Sequence, residues 1–233
     1  MNGVNKVVNS LAHYQKKMGV EVEVWGITSS PEKETPKRAY ALKLFKNNGS
    51  FSLGKDFKAA VDSVEQTSRF HLHGSFNLEL FHVANYLRRR GLKYIYTSHG
   101  AFNEVALQKS RLKKRIYNFL FERRIIQNAY KVHFIGASEV LGAKKIFNLN
   151  NNYFLVPNGQ EINDLVPAKT TNAERKKIFG FVGRLDVMTK GLDILISAIS
   201  QLSKEQKESM EFWIIGGGVG QSFLEEEIKK HQL

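Results

Sequence analysis

The stretch Phe179–Leu202, FGFVGRLDVMTKGLDILISAISQL, constrains the fold more than any other part of the chain. It reads as a strand, a loop with two cations, and a helix. Ile178–Val182 is a short apolar run, and Gly180 and Gly183 permit close packing and then a turn. Leu192, Leu195, Ile196, Ile199 and Leu202 fall on one stripe, the spacing of a buried helix face. Arg184 and Lys190 lie between strand and helix, on a loop that ends at a helix N-terminus. Free N–H groups and the positive end of the helix dipole favour anions there. An Arg fork with a Lys point charge suits a diphosphate better than either alone. Two solvated loop cations are the plainer reading, and spacing alone does not separate the two.

The rest of the chain repeats this alternation, which predicts parallel βα units and an α/β fold. Val4–Met18 has apolar residues at helical spacing and is closed by Gly19. Val20–Ile27 reads as a strand. Ser29–Asn48 holds two of the four prolines and many charges, and reads as a loop or weakly ordered excursion. Lys55–Gln66 is a helix with Phe57, Ala60, Val61 and Val64 inward, and Arg69–Leu72 a strand ending at His73-Gly74. Leu78–Arg90 is a helix closed by Gly91, and Lys93–Thr97 a strand ending at Ser98-His99-Gly100. A long basic helix, Ser110–Asn128, leads to the strand Val132–Ile135. Glu139–Phe147 is helical, Tyr153–Val156 a strand and Pro157-Asn158-Gly159 a turn. Polar, partly basic Pro167–Lys177 reads as a linker between a domain at 1–166 and another at 178–233. In the second, the strand Glu211–Ile215 runs into Gly216-Gly217-Gly218, and Gln221–Lys230 is an amphipathic helix.

At 233 residues, 42% hydrophobic, the chain can bury the core of one large domain or two small ones. Cysteine is absent, which excludes a disulfide framework and a thiolate metal site and implies an intracellular, cytoplasmic location. The sequence has no apolar run of membrane-spanning length and no signal-peptide pattern. A net charge of +13 favours anionic partners (nucleotide phosphates, nucleic acid or acidic headgroups) without choosing among them. The cations concentrate between Lys109 and Lys131, at Lys109, Arg111, Lys113, Lys114, Arg115, Arg123, Arg124 and Lys131 against Glu122. Leu112, Ile116, Phe119, Leu120 and Ile126 interleave with them. An amphipathic helix on an anionic membrane or at a lipid-diphosphate acceptor fits this pattern. A solvated basic face over an ordinary core stripe fits it equally.

His99 precedes a glycine at a strand end, where open α/β sheets bind ligands. His71 and His73 are expected to face opposite ways across their strand and so to form no metal pair. On that basis His73 lines the site and His71 is structural.

GRLDVMTKGLDILISA resembles the donor-phosphate loop of retaining glycosyltransferases of the GT-B fold, glycosyltransferase family 4 (group 1). The resemblance implies that Arg184 and Lys190, between Gly183 and Gly191, bind the diphosphate of a nucleotide sugar. Gly3-Val4 resembles the end of the family's N-terminal glycine loop, with Asn2 where a first glycine is usual and no strand before it. Gly3 is thereby implied as a backbone donor to the phosphates. His71-Leu72-His73-Gly74 and Thr97-Ser98-His99-Gly100 resemble the two strand-end motifs that face the cleft. The histidine matching His99 lies near the transferred sugar in that family, so His99 is the implied catalytic residue. Val156-Pro157-Asn158-Gly159 resembles the V-P-N-G turn, although Glu161 replaces the usual Asp. Ile215-Gly216-Gly217-Gly218 resembles the glycine loop of the donor domain. Cleft-lining roles follow for His73, Gly100, Asn158, Gly183, Gly216 and Gly217.

Members of the family continue for a hundred or more residues to an E-x7-E motif, whereas Glu225, Glu226 and Glu227 are consecutive. The expectation is an incomplete polypeptide: a Rossmann-like acceptor domain without its first strand, and the start of a donor domain. The implied activity moves a sugar from a nucleoside-diphosphate donor to an acceptor hydroxyl with retention, in cell-surface polysaccharide or glycolipid synthesis. The nucleotide sugar is a substrate rather than a cofactor, and the sequence has no D-x-D pair for a bridging metal. Implied partners are the donor, a glycan or lipid-linked acceptor, and the inner face of the cell membrane through Lys109–Lys131, with no nucleic acid. The alternatives are another GT-B enzyme, such as a nucleotide-sugar 2-epimerase, or an inactive fragment that binds polyanions or membranes.

Overall fold

The computed structural model describes residues 3–32, 35–49, 52–108, 111–160 and 176–233. The chain divides into two compact units, Met1–Gln160 and Glu161–Leu233. The expected linker, 167–177, falls outside the described residues up to position 175, and Lys177 already opens a strand.

In the first unit, α1 (Gly3–Lys17) is followed by β1 (Glu23–Thr28) and β2 (Ala41–Lys46), a parallel pair registered from Glu23↔Ala41 to Thr28↔Lys46. β2 corrects the expectation of an irregular excursion over Ser29–Asn48. Pro31 and Pro36 crowd the first half of that stretch, and Leu42, Leu44 and Phe45 supply a β-forming run after them. Phe45 meets the Trp25 ring on β1 at 5.4 Å, and Lys43 pairs with Glu23 at 2.9 Å. Next come α2 (Lys55–Asp62), β3 (Arg69–His73), α3 (Leu78–Arg89), β4 (Lys93–Thr97) and a short α4 (Glu104–Gln108). The basic helix is present with an interruption: α5 (Arg111–Tyr117), a π-helical turn (Asn118–Glu122) and α6 (Arg123–Asn128). β5 (Lys131–Phe134), α7 (Ala137–Lys144) and β6 (Tyr153–Leu155) complete the unit.

Strands β3 to β6 form a parallel sheet in sequential order. Strand side chains alternate, so register sorts them onto two faces. Leu72, Tyr96, Val132 and Tyr153 share one row on the face that packs into the core. There they meet Val83, Ala84 and Leu87 of α3 and Ile125 and Ile126 of α6. The opposite face carries His73, Thr97, His133 and Phe154 in one row at the carboxyl ends of the strands.

The second unit contains β7 (Lys177–Val182), α8 (Val187–Lys190), α9 (Leu192–Ser200), α10 (Lys204–Glu208), β8 (Met210–Ile215) and α11 (Gln221–Lys230). β7 and β8 pair in parallel. Leu192 and Ile196 of α9 bury against Leu185 and Leu224, as the stripe on that helix requires. Ser203 and Gln206 form a capping box that starts α10.

Helix α7 is pressed tightly onto the loop after β4. A Cβ at Gly142 would sit on the carbonyl oxygen of Phe102, whose ring is fully buried. Gly142→Ala is expected to cost about 1–3 kcal/mol through overpacking. A thermal melt checks it, and an unchanged midpoint would contradict this contact.

Candidate active site

The residues singled out in the sequence fall into two groups, one in each unit. In the first unit the organising feature is the row of polar side chains at the ends of β3, β4 and β5. His71 and His73 lie on the same face of β3, with ring centroids 4.0 Å apart, which corrects the expectation that they point opposite ways. Residues two apart in a strand share a face, because the alternation has a period of two. Thr97 joins β3 to β5: its Oγ1 lies 2.7 Å from His71 Nε2 and 3.0 Å from His133 Nδ1. His133 Nε2 donates to the Val156 carbonyl at 2.8 Å, which assigns the tautomer. In a neutral His133 ring, Nδ1 then accepts from the Thr97 hydroxyl, and Thr97 accepts from His71 Nε2–H. His73 Nδ1 is 3.0 Å from Nε2 of His99, a half-buried residue held at φ 55. His99 thus pairs with His73 rather than standing alone, and the His71–His73 ring contact joins that pair to the hydrogen-bonded set of His71, Thr97 and His133.

Burial disfavours the charged form of these rings, and each neighbouring ring adds repulsion. Desolvation first, then His133 and His99, pushes the His71 pKa down to about 4. Desolvation and the other three histidines push His73 down to about 2. His99 is lowered by burial and then by His133. Among the described residues no group of His, Asp or Glu is arranged to hold a metal ion.

Two buried carboxylates that the sequence reading did not single out hold the loops carrying these rings. Glu139 on α7 accepts the Ser98 hydroxyl at 2.5 Å, the Gly100 N–H at 2.6 Å and the Ile135 N–H at 3.3 Å. One side chain therefore ties the loops after β4 and β5 and brackets His99. Glu122, in the π-helical turn, accepts the Phe76 N–H at 2.5 Å and the Tyr96 hydroxyl at 2.7 Å. It thereby anchors the loop after β3, where Phe76 has φ 52. Burial raises the pKa of Glu122, against those two hydrogen bonds. A signal existed in the sequence: Glu122 is the lone acid of the basic stretch, and Glu139 precedes Val140 at the start of a helix. Both carboxylates sit where a helix turns its inner face to the sheet.

The remaining first-unit candidates are not drawn into this cluster. Gly3 opens α1 as an exposed residue, and Met1 and Asn2 lie outside the described residues. Asn158 is exposed in an irregular segment; the neighbouring Val156 is the residue that touches His133. Gly100 is held by Glu139.

In the second unit the cationic loop is partly helical. Lys190 is the last residue of α8, and Gly191, at φ 65, links it directly to α9. Asp186 caps α8, accepting the Thr189 N–H at 3.5 Å, and is 7% exposed. The Arg184 guanidinium lies 3.6 Å from Asp186 Oδ2 yet remains 71% exposed. Lys190 is exposed and makes no ion pair with any described residue. The glycine loop is packed against this segment. Leu185 N–H donates to Gly217 O at 3.0 Å, Gly183 N–H to Ile215 O at 3.0 Å, and Gly220 N–H to Leu185 O at 2.9 Å. Gly216 has φ 149, and a Cβ there would collide with the Gly183 carbonyl oxygen, so glycine is required for the approach itself. Gly216 thus supports the cationic loop from behind, while the Cβ position of Gly217 is open.

The depressed histidines set a pH dependence. A histidine whose folded pKa lies below its unfolded value costs stability as pH falls, because the unfolded chain takes up the proton first. The loss begins near the ordinary value of about 6.5 and reaches up to about 1.4 kcal/mol per pH unit for each buried ring. Glu122 acts in the opposite sense, since its raised pKa lets the folded state hold a proton more tightly. Three rings outweigh one carboxyl, so urea midpoints should fall steadily from pH 6.5 to pH 5. In a Trp213→Phe background, Trp25 alone reports the first unit. His73→Asn should flatten the slope, and a pH-independent midpoint would contradict the buried neutral cluster.

The family described as Glycosyl transferase 4-like domain matches residues 2–159, and Glycosyl transferases group 1 matches residues 162–233. No curated protein matches the chain closely enough to count as a relative. The parallel α/β architecture agrees with the Rossmann-like domains of such enzymes. The first match alone covers more than half of the 233 residues. The chain therefore belongs to the group 1, family 4 glycosyltransferases of the GT-B class.

Proposed function

We propose that the chain serves the retaining transfer of a sugar from a nucleoside-diphosphate donor to an acceptor hydroxyl, on a glycan or lipid-linked acceptor in cell-surface polysaccharide or glycolipid synthesis. The observation that carries the reading is the pair of outward cations, Arg184 and Lys190, at either end of the Asp186-capped turn that leads into α9. In such a transfer the bond from the anomeric carbon to the diphosphate breaks, and its electron pair leaves with the phosphate. The acceptor oxygen bonds to that carbon, and its proton passes to the released diphosphate. The developing negative charge is the main demand on the protein, and fixed cations answer it without reorganising. With no D-x-D pair in the sequence, we assign that charge to Arg184 and Lys190.

His99 is the residue we assign to the transferred sugar. It is half-buried on a loop held by Glu139, and its lowered pKa favours a neutral ring at physiological pH. A neutral ring donates from one nitrogen and accepts at the other, which suits sugar hydroxyls. Retention and the pathway rest on the likeness of the Gly183–Gly191 loop to retaining family 4 enzymes.

The test is a thermal-shift and calorimetric titration with UDP, GDP and ADP. One of them should stabilise the chain saturably, by RT ln(1 + [L]/Kd). Arg184→Ala and Lys190→Ala should each weaken that binding about ten- to a hundredfold, as loss of a charge-assisted contact does. Absence of any response, or near-unchanged affinity in both variants, would overturn the donor-loop assignment.

A further inference from the structure

The basic helix carries apolar residues on two faces. One face is inward: Asn118, Glu122, Ile125 and Ile126 are buried. The other is outward: Leu112 is 72% exposed, Phe119 70%, Ile116 53% and Leu120 43%. These four fall at helical spacing, so they line one ridge along α5 and the π-helical turn. Of the five apolar residues that interleave with the cations, Leu112, Ile116, Phe119 and Leu120 are therefore on the surface and Ile126 alone is in the core. Lys113 and Arg115 flank it, and Arg123 and Arg124 continue it, all exposed. Glu122, the only acid between Arg111 and Lys131, is fully buried and taken up by Phe76 and Tyr96. Charge on the outward face is accordingly all of one sign.

We infer that this ridge is a docking surface for an anionic phospholipid bilayer. Apolar side chains enter the boundary between headgroups and acyl chains, and the flanking cations meet lipid phosphates. Charge complementarity selects this occupant. A second copy of the chain would bring two positive faces together, and a purely polar polyanion would leave Leu112, Ile116 and Phe119 in water. No helix among the described residues is long and apolar enough to cross a membrane, so the contact is interfacial. The inference does not depend on the glycosyl-transfer reading, because it concerns a different helix and a different ligand.

Vesicle co-flotation of the chain tests it. Vesicles of phosphatidylcholine with phosphatidylglycerol should carry the protein up the gradient, and phosphatidylcholine alone should not. The double variant Leu112→Ser/Phe119→Ser changes only exposed positions and should melt like the wild type. It should bind the anionic vesicles at least about tenfold more weakly, through lost apolar burial. Phe119→Trp should shift its emission to the blue on those vesicles and be quenched by brominated acyl chains. Failure to float with anionic vesicles at low salt would overturn the proposal. So would binding that the double variant leaves intact, which marks simple polyanion association. Lipid-free dimerisation abolished by the same double variant would assign the ridge to a second copy instead.

Discussion

The first unit depends on buried carboxylates that accept hydrogen bonds from loops. Parallel strands end in free backbone, and the segments that follow must be held by something other than the sheet. Glu139 does this for the loops after β4 and β5, and Glu122 for the loop after β3. Each is fully or almost fully buried, and each is positioned by a helix packed on the core face. A buried carboxylate without donors would be costly; with donors it fixes geometry more firmly than solvent-exposed contacts would. The left-handed conformations of His99 and Phe76 persist because the residues on either side of His99, and the N–H of Phe76 itself, are tied in this way.

Those anchors make the histidine row possible. His73, Thr97 and His133 occupy one register row, His71 and His99 join it by hydrogen bonds, and Thr97 mediates between β3 and β5. Packing His71, His73 and His99 together favours their neutral forms, since burial and the neighbouring rings both penalise charge. The cluster is thus a set of donors and acceptors at the carboxyl edge of a parallel sheet, the edge at which open α/β sheets present ligand sites. Polar, uncharged and rigid, it suits hydroxyl groups better than phosphate.

Much of this was legible in the sequence. Lys93–Thr97 is a strand with the bounds read from it, and the stripe Leu192, Ile196 and Ile199 is buried as its spacing demands. What was not legible has physical causes. β2 was hidden because the composition of Ser29–Asn48 averages a proline-rich half with an apolar one. His71 and His73 lie two apart on β3, so the period of two brings both to one face, against the expectation that they point opposite ways. The turn Val187–Lys190 is helical because Asp186 caps it, a local D-x-x-T signal masked by the more conspicuous cations. Glu122 and Glu139 look like surface acids in one dimension; only the fold reveals that their helices turn them inward.

That inward placement also changes how the net charge should be read. Acids and bases are usually counted as though both were displayed, giving +13 here. Glu122 and Glu139 are instead withdrawn from the surface and satisfied by N–H and O–H donors, not by Lys or Arg. Asp186 is buried too, touching Arg184 only at the edge of ion-pair range. Most cations near these acids in sequence are left facing water: Lys113, Arg115, Arg123 and Arg124 around Glu122, where Lys114 turns to the Ala106 carbonyl instead, and Arg184 and Lys190 around Asp186. Local potential at both places exceeds what the composition suggests, because the compensating charges point into the protein. A fold that needs internal acceptors to hold its loops thus generates, by the same step, outward surfaces primed for anions.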